Sequence, residues 1–440
     1  MKVSSILGLN ARFQEYAFPY NSRRGKGIAA SKLLTKRVLA ASNIPLPKLY
    51  VRFSNPRTVV DFNWGTLPDS FVLKPSRGLG GEGIVVVKKR ARDDAGWITT
   101  QRKRVTVDDL KLHTFDILEG AYSIATIPEV AFCEEYVGRH KAFRKYAYRG
   151  TPDIRVIVFN KVPVMAMLRL PTPESGGRAN LHQGAIGVGV DIATGITTHA
   201  VVNGEPVQFK PGTKRKLHGI RIPSWNRILE LAVQCSEVAH LGYVGVDVVL
   251  HPEKGPMVLE LNSEPGLEIQ LANLSGLRKR LQRVEGLKVE SAEKGIRLAK
   301  TLFASDFAVR VRAEEEGIKI ADVFEEVKIK TSGGRKVVVA AKLDTGAWRS
   351  SIDKALAGEL GLLEKSNVLL TRLVRSAFGR QKRQVIDITF WLKGRRIRTT
   401  AGIVNREKLK NSFIIGRRDL TNFFITPAAK PRRSRGSTAT

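Results

Sequence analysis

The chain has 440 residues, 42% of them hydrophobic, and a formal net charge of +33. This length predicts two or three domains, and the apolar fraction is sufficient for hydrophobic cores and argues against a disordered chain. The two cysteines, Cys133 and Cys235, are far apart in the sequence and have apolar neighbours. This argues against a disulfide framework or a zinc cluster and predicts two buried thiols in a reducing compartment. No stretch approaches the roughly 20 apolar residues that span a bilayer, so we expect a cytoplasmic protein without a transmembrane segment.

The excess of positive charge favours encounters with polyanions such as nucleic acid, anionic lipid or an acidic polypeptide. The basic runs are scattered along the chain and lack interleaved aromatic residues, so they do not predict a dedicated nucleic-acid-binding module. A solvated basic surface is the alternative interpretation. The runs are Lys88-Lys89-Arg90, Arg102-Lys103-Arg104, Lys214-Arg215-Lys216, Arg278-Lys279-Arg280 and residues 430–435.

The first 308 residues alternate predicted helices and short strands. Apolar residues at helical spacing predict helices over residues 31–42, 224–241 and 290–303. Short β-rich runs predict strands over residues 84–87, 130–133, 154–159, 162–168, 246–250 and 257–261.

An acidic stretch then separates this region from one of different character. From residue 326 the sequence predicts strands over 327–329, 336–343, 384–392 and 396–404, with a helix over 353–362. We therefore predict a first domain over residues 1–308, a linker over 309–325, a small β-rich domain over 326–428 and a flexible basic tail over 429–440.

The first chemical motif is a strand that ends in a lysine and continues into a glycine-rich loop. Glycines let backbone N–H groups close on phosphate oxygens, and a lysine anchored on a strand adds a point charge. The motif favours a nucleotide-phosphate site, although a glycine-rich hairpin turn is the alternative; no Gly-Lys-Ser/Thr opens a helix, so it is not a Walker A loop. Its residues are Lys74, Ser76, Gly78, Gly80, Gly81 and Gly83.

The second motif places acidic residues inside apolar strands. Strand periodicity puts Glu260 and Asn262 on one face, and Asp247 occupies a similar place in the neighbouring strand of an antiparallel pair. A carboxylate among Val and Leu needs a partner or a metal, and oxygen ligands of this kind suit Mg²⁺ held jointly with phosphates. The sequence therefore predicts a metal site formed by these three residues.

Taken in order, these elements resemble the ATP-grasp superfamily, in particular the α-L-glutamate ligase branch with the sugar-transfer-associated group. The resemblance implies an α/β (α+β) ATP-grasp fold that uses ATP and Mg²⁺, with Mn²⁺ as the alternative metal. It implies phosphate contacts from Lys32 and Lys74. It also implies a hinge whose backbone and acidic side chain bind adenine, formed by Glu134, Glu135, Tyr136 and Val137.

The same resemblance assigns residues to the reacting groups. Arg155 and Arg169 would face the γ-phosphate and the acyl phosphate, and Arg178 and Asn180 would lie at the reacting centre. His182 would accept a proton from the amine or serve as a structural hydrogen-bonding residue. Where the family has a ribose-binding carboxylate just past the hinge, this chain has Gly138-Arg139-His140-Lys141.

In the second domain a hydrophobic strand enters Asp344-Thr345-Gly346. Together with residues 413–416 and the flanking Asn405-Arg406-Glu407 and Arg417-Arg418-Asp419, it resembles retropepsin-like domains that accompany such ligases, often called ATP-dependent zinc proteases. Aspartic proteolysis needs two carboxylates, so Asp344 would act in a homodimer or with another group; a non-catalytic peptide-binding domain is the alternative. After residue 310 the chain has no His or Cys, which argues against a zinc site.

The resemblance thus implies an ADP-forming carboxylate–amine ligase that joins an amino acid, glutamate first among them, to a peptide or small-molecule acceptor. The basic surface suits an acidic acceptor. Two alternatives stay open: an ATP-grasp enzyme of cell-envelope or polysaccharide modification, and a nucleotide-dependent scaffold that docks on a polyanion.

Overall fold

The computed structural model describes residues 3–78, 80–92, 96–123, 126–304, 319–376, 379–405, 411–421 and 423–426. The chain divides into two compact units, Met1–Ala304 and Ser305–Thr440. The predicted tail and residues 309–318 of the predicted linker lie outside the described residues. In the part of the chain that is described, no helix has the length and apolar character needed to cross a membrane.

The first unit contains two antiparallel sheets. The smaller is six-stranded, in the order β1-β6-β2-β3-β4-β5. Its strands are β1 (Leu49–Phe53), β2 (Phe71–Pro75), β3 (Val85–Arg90), β4 (Trp97–Thr99), β5 (Arg104–Val105) and β6 (Ala131–Glu135).

The larger sheet is seven-stranded, in the order β11-β10-β9-β8-β7-β12-β13. Its central strands are buried along their whole length, and β7 and β8 form a hairpin from Asp153, opposite Arg169, to Phe159, opposite Val162. The strands are β7 (Asp153–Phe159), β8 (Val162–Leu170), β9 (Ile186–Val190), β10 (Thr197–Val202), β11 (Glu205–Val207), β12 (Tyr243–His251) and β13 (Gly255–Asn262).

Most helices of the first unit begin at a side-chain cap. Ser31 Oγ accepts a hydrogen bond from Leu34 N at the start of α2, and Thr106 and Asp109 form a capping box at the start of α4. A π-helix, Arg12–Ala17, precedes them. The helices are α1 (Arg23–Ala29), α2 (Lys32–Ala40), α3 (Pro56–Val60), α4 (Val107–Leu118), α5 (Trp225–Val238), α6 (Ile269–Asn273), α7 (Leu277–Gln282) and α8 (Ala292–Leu302).

The second unit is a β-barrel. Its sheet runs β15-β16-β21-β17-β20-β19-β18, and β15 also pairs with β19, which closes six of the strands into a ring. A parallel pair, β14 with β22, lies beside it, and α9 (Lys354–Glu359) follows β17. The strands are β14 (Lys319–Asp322), β15 (Phe324–Lys330), β16 (Lys336–Asp344), β17 (Ser351–Asp353), β18 (Val368–Ser376), β19 (Gly379–Leu392), β20 (Arg395–Val404), β21 (Phe413–Gly416) and β22 (Phe423–Thr426).

The predicted helices and strands are confirmed within a few residues at their ends. Residues 319–325, which we predicted as the end of the linker, instead form β14 and the start of β15. Cys133 and Cys235 are free and buried, as expected.

Candidate functional site

A cavity of about 820 Å³ lies between the two sheets of the first unit. Its walls come from β2, β3 and β6 on one side and from β7, β8, β12 and β13 on the other. It brings together most of the residues that the sequence singled out. They are Lys32, Lys74, Gly78, Gly80, Gly81, Glu134, Glu135, Tyr136, Val137, Arg155, Arg169, Arg178, Asn180, His182, Asp247, Glu260 and Asn262.

Two of the predicted residues only flank this cavity. Ser76 is buried, and its hydroxyl hydrogen-bonds the hydroxyl of Ser31 at 2.9 Å. Gly83 packs with its backbone against the ring of Tyr122, since a Cβ there would lie 2.7 Å from that ring. Both therefore shape the loop at the cavity rather than line it.

Lysines on α2 and β2 enter the cavity from one wall. Lys32 Nζ donates to Gly78 O at 2.9 Å and lies 3.8 Å from Glu260 Oε2. Lys74 forms an ion pair with Glu134, whose other oxygen lies 2.6 Å from Lys36 Nζ. Glu134 thus has a lysine on each oxygen.

The burial of these groups sets their charge balance. Burial lowers the pKa of Lys32 and of Lys36. Burial alone would raise the pKa of Glu134, but the charges of Lys74 and Lys36 outweigh it and hold that pKa below its ordinary value. Glu134 therefore stays ionised and leaves a net positive charge on this wall.

The predicted hinge follows directly from β6. The carboxylate of Glu135 pairs with Lys254 and also accepts a hydrogen bond from Lys48 N at 3.1 Å. Val137 is buried in a small apolar cluster with Val249, Met257 and Leu259. Since both acidic side chains of the hinge are engaged by lysines, the free elements at this position are its backbone and the apolar surface.

The glycine-rich loop is closed over the cavity by hydrogen bonds. Gly80 O accepts from Asn180 Nδ2 at 3.1 Å and from Gln183 Nε2 at 3.3 Å. Gly80 and Gly81 have φ of +63° and +83°, a region that glycine occupies without strain. Residue 79 lies outside the described residues, and Gly80 ties the loop to the 180–183 segment.

Two arginines and two aspartates form the floor of the cavity. Asp247 accepts from Arg155 Nε at 2.7 Å and Nη2 at 2.6 Å, and from Arg169 Nη2 at 2.7 Å. Arg169 also binds Asp153 through Nε at 2.5 Å and Nη2 at 2.8 Å. The sequence predicted these arginines as phosphate ligands; here each one is bound in a bidentate manner by a carboxylate.

Charges in this cluster shift the pKa values of the aspartates in opposite directions. Burial would raise the pKa of Asp247, but Arg155 and Arg169 outweigh it and hold that pKa well below its usual range. Burial, with the charge of Asp247 adding to it, raises the pKa of Asp153 to about 6 despite Arg169. Asp247 is therefore the carboxylate whose charged form the two arginines favour more strongly.

The predicted metal ligands lie together, but they are not equally available. Asp247 and Glu260 are cross-strand partners in β12 and β13, as predicted, and Asn262 Nδ2 lies 3.3 Å from Asp247 Oδ2. The side chain of Glu260 is 34% exposed, and its Oε2 lies 3.8 Å from Lys32 Nζ, which is beyond hydrogen-bond distance. Asp247, by contrast, already accepts arginine hydrogen bonds on both oxygens.

Oxygen donors of this type fit Mg²⁺, which keeps several waters and takes one or two carboxylates. Glu260 and Asn262 fit as they stand. Asp247 fits as a further ligand only through an oxygen lone pair that does not accept a hydrogen bond from Arg155 or Arg169. Among the described residues, no group of three or more His, Cys, Asp or Glu side chains is placed to hold a metal ion by itself.

The segment that carries Asn180 and His182 closes the cavity at its outer end. His182 pairs with Glu268, and its side chain is 79% exposed. Asn180 Oδ1 accepts from His182 N at 3.0 Å. Arg178 is exposed on the same segment, with its Cδ beside Gly81.

Sequence reasoning missed four residues of this site: Lys36, Asp153, Gln183 and Glu268. Lys36 lies one helical turn after Lys32, and this i, i+4 spacing could have indicated a second lysine on the same face. Asp153 lies at the start of the strand that carries Arg155. For Gln183 and Glu268 the sequence held no comparable signal, because their partners are distant in the chain.

In the second unit, Asp344 ends β16 beside β21, where it pairs in register with Gly416. Asp344 Oδ1 accepts from Gly346 N at 2.9 Å and Ala347 N at 3.1 Å. A Cβ on Gly416 would lie 2.4 Å from the Arg349 backbone, so this position requires glycine. Residues 413–416, which the resemblance groups with the Asp344 turn, pair with the end of β16 beside that turn. Arg406 and Glu407 lie outside the described residues.

Comparison with known proteins places these observations in a family. The profile described as "Sugar-transfer associated ATP-grasp" matches residues 11–286. The chain is 25% identical over 237 residues to a probable α-L-glutamate ligase of Stenotrophomonas maltophilia, covering 54% of this chain and 58% of that protein. It is 28% identical over 240 residues to the tetrahydromethanopterin:α-L-glutamate ligase of Methanocaldococcus jannaschii, covering 54% and 59%.

The chain thus spans less than two thirds of the length of these curated relatives. Among solved structures, the D-alanine–D-alanine ligase from Bacillus anthracis complexed with ATP is similar at 15% identity and a TM-score of 0.33. That alignment covers 67% of this chain and 71% of the other.

Proposed function

Since the chain belongs to the sugar-transfer associated ATP-grasp family, we propose that its first domain, residues 1–308, is an ADP-forming carboxylate–amine ligase. The observation that carries the proposal is the cavity between the two sheets. It collects Lys32, Lys74 and two arginines opposite Glu260. Such a site combines cations for phosphoryl oxygens with oxygen ligands for a metal.

ATP would bind with its phosphates against Lys32, Lys74 and the glycine loop. The base would lie on the apolar cluster of Val137, Val249 and Leu259, and the backbone of Tyr136 and Val137 would recognise it. This assignment replaces the expected acidic side chain, because the carboxylates of Glu134 and Glu135 are already bound by lysines.

Mg²⁺ would be held by Glu260 and Asn262, with Asp247 beside them. When bound, it supplies positive charge to the phosphate oxygens. The protein side chains supply the rest: Arg155 and Arg169 are positioned by Asp247 and Asp153, which keeps their guanidinium groups fixed at the floor of the cavity.

The reaction proposed is phosphoryl transfer followed by amide formation. A substrate carboxylate oxygen attacks the γ-phosphorus as ADP leaves, giving an acyl phosphate. An amine then attacks the acyl carbon, phosphate leaves, and the amine loses a proton. His182, which pairs with Glu268, would accept that proton.

Glutamate is the first amino acid to test, because two curated relatives are named as α-L-glutamate ligases. Incubation with ATP, Mg²⁺ and single amino acids, with and without short peptide acceptors, should release ADP and phosphate, and mass spectrometry should detect the amide product. Lys74→Met serves as the inactive control. Release of AMP and pyrophosphate would contradict the acyl-phosphate route.

For the second unit we propose a retropepsin-like domain, predicted over residues 326–428 and extended here to the start of β14 at Lys319, with Asp344 as its carboxylate. The closed six-stranded ring and the Asp344 turn beside Gly416 support this assignment. Peptidase activity would require a second carboxylate, which a homodimer would supply. Sedimentation velocity measures whether the full chain and its Asp344→Asn variant form dimers. A peptide-hydrolysis assay on the same samples shows whether activity accompanies the dimer.

A further inference from the structure

A second cavity, of about 790 Å³, lies in the first unit next to the one described above. The two cavities share Thr99, Thr100 and Tyr136, so the turn after β4 forms the wall between them. Among the lining residues that the structure describes, six are positively charged and none is negatively charged. The six are Lys88, Lys89, Arg102, Arg139, Arg144 and Arg149, and we call this space the basic cavity.

Three separate segments of the chain supply these charges. Lys88 and Lys89 lie on β3, Arg102 lies in the turn between β4 and β5, and the other three follow the hinge. Two of the five basic runs of the sequence, at residues 88–90 and 102–104, are therefore brought together with the arginines that follow the hinge. Most of these side chains are exposed, so their charges are accessible to a ligand from solution.

The positive charge of the basic cavity is not neutralised by nearby carboxylates. Within the described part of the chain, none of the six side chains forms an ion pair. Two of them are held in place by neutral carbonyls: Arg139 donates to Ala147 O at 3.2 Å, and Arg149 donates to Gln101 O at 3.3 Å. Like charges held together without counterions create a strong local potential for an anion.

The basic cavity also leads toward the reacting end of the first cavity. Gln101, beside Arg102, lines the first cavity and lies within 3.5 Å of Gly176 O. Gly176 and Gly177 directly precede Arg178. A chain bound along the basic cavity would therefore have its end close to the 178–183 segment.

From these observations we propose that the basic cavity binds an acidic peptide, a chain carrying several carboxylates, as the acceptor of the ligase. This identification of the acceptor rests on the proposed function. Tyr136 is the one aromatic side chain among the described lining residues, so the cavity lacks the stacking platforms that single-stranded nucleic acids use. Basic side chains on three different segments, four of them arginines, suit carboxylates spaced along a flexible chain.

The test uses the full chain and fluorescein-labelled hexaglutamate, with anisotropy measured without ATP at about 50 and 150 mM salt. Arg102→Gln/Arg144→Gln should weaken binding by about tenfold or more and reduce its salt dependence. The matched control, Lys279→Gln/Lys288→Gln, removes the same charge from exposed positions outside the cavity and should change binding by less than about twofold.

Equal losses in the two double variants would overturn the proposal, because the attraction would then belong to the net charge of the whole chain. A hexathymidylate that binds more tightly than hexaglutamate and is lost in the same cavity variant would overturn it too, in favour of a phosphodiester ligand. Phosphate release from ATP is measured in parallel. If hexaglutamate binds selectively but no ATP is turned over, the ligase assignment fails while the peptide site stands. If ATP is turned over but hexaglutamate does not bind selectively, the peptide site fails while the ligase assignment stands.

Discussion

The carboxylate of Asp247 binds the guanidinium of Arg155 in a bidentate manner, at 2.7 Å from Nε and 2.6 Å from Nη2. Arg169 adds a third hydrogen bond to the same carboxylate at 2.7 Å. The side chain of Asp247 is 1% exposed, and those of Arg155 and Arg169 are 10% and 11% exposed, so water offers the two guanidinium groups little replacement for this carboxylate. This aspartate therefore holds two buried cations in place whether or not it also binds a metal.

Two substitutions separate these roles. Asp247→Asn should abolish ATP turnover and also destabilise the first unit by about 3–5 kcal/mol, because it leaves buried guanidinium charge without its partner. Glu260→Gln should abolish turnover but cost less than about 1 kcal/mol, since its side chain is 34% exposed. Urea unfolding and phosphate release measure the two effects, and equal stabilities of the variants would contradict a positioning role for Asp247.

The ion pairs of Glu134 predict a pH dependence of stability. Its folded pKa lies below the ordinary value, so the unfolded state binds its proton first as pH falls below about 4.3. The stabilisation from Lys74 and Lys36 is thus present above that pH and lost as pH falls through the folded pKa. Glu134→Gln should cost about 3 kcal/mol at pH 7, and its difference from the wild type should shrink below about pH 4.

A matched carboxylate gives the control for that measurement. Glu264 pairs with Arg12 at 3.3 Å, but its side chain is 40% exposed. Glu264→Gln should change the unfolding free energy by less than about 1 kcal/mol at either pH. If the difference in unfolding free energy between Glu134→Gln and the wild type did not change with pH, the charge of the Glu134 carboxylate would not be the source of the stabilisation.

Much of the first unit could be predicted because its buried strands are recognisable in the sequence as runs of apolar residues. β7, β8, β12 and β13 are continuous or alternating apolar runs, and the acidic residues inside them mark the cavity. β9 was missed: it alternates Gly187 and Gly189 with apolar residues and so has low strand propensity. The structure gives the reason, since a Cβ on Gly189 would lie 2.4 Å from Ala272 O on α6.

Side-chain partners were the part that the sequence could not supply. The sequence placed Asp247 opposite Glu260 in neighbouring strands, as the structure does. It did not indicate the arginine partners, because these follow from a register that pairs Asp247 with Arg155 in β7. The engagement of Glu134 likewise depends on Lys36, which comes from a helix rather than from the neighbouring strand. Contacts between elements distant in sequence decide which charges remain available, and periodicity does not encode them.

The glycine loop gives a third prediction. Gly81→Ala places a Cβ at φ +83° and 3.4 Å from Arg178 Cδ, so the loop should lose its closed conformation. The KM for ATP should rise about 5- to 30-fold, the range expected from the cost of a left-handed alanine. Gly212→Ala, at φ +72° in open space, carries similar strain away from the cavity and should leave KM unchanged. If both variants raised KM alike, the effect would be one of general stability.

The last prediction concerns Asp344 and the independence of the two activities proposed for this chain. Asp344→Asn removes the charge but keeps an oxygen that can accept from Gly346 N and Ala347 N, so the turn should persist. Asp344→Ala also leaves those two N–H groups without that acceptor and should cost about 1–3 kcal/mol in the second unit. Both variants should lose any peptide hydrolysis and keep phosphate release within about twofold. Hydrolysis that survives in Asp344→Asn would assign the Asp344 turn a structural or peptide-binding role. A tenfold loss of phosphate release in the same variant would instead show that the second unit acts on the ligase, because Asp344 lies outside the cavity where ATP is proposed to bind.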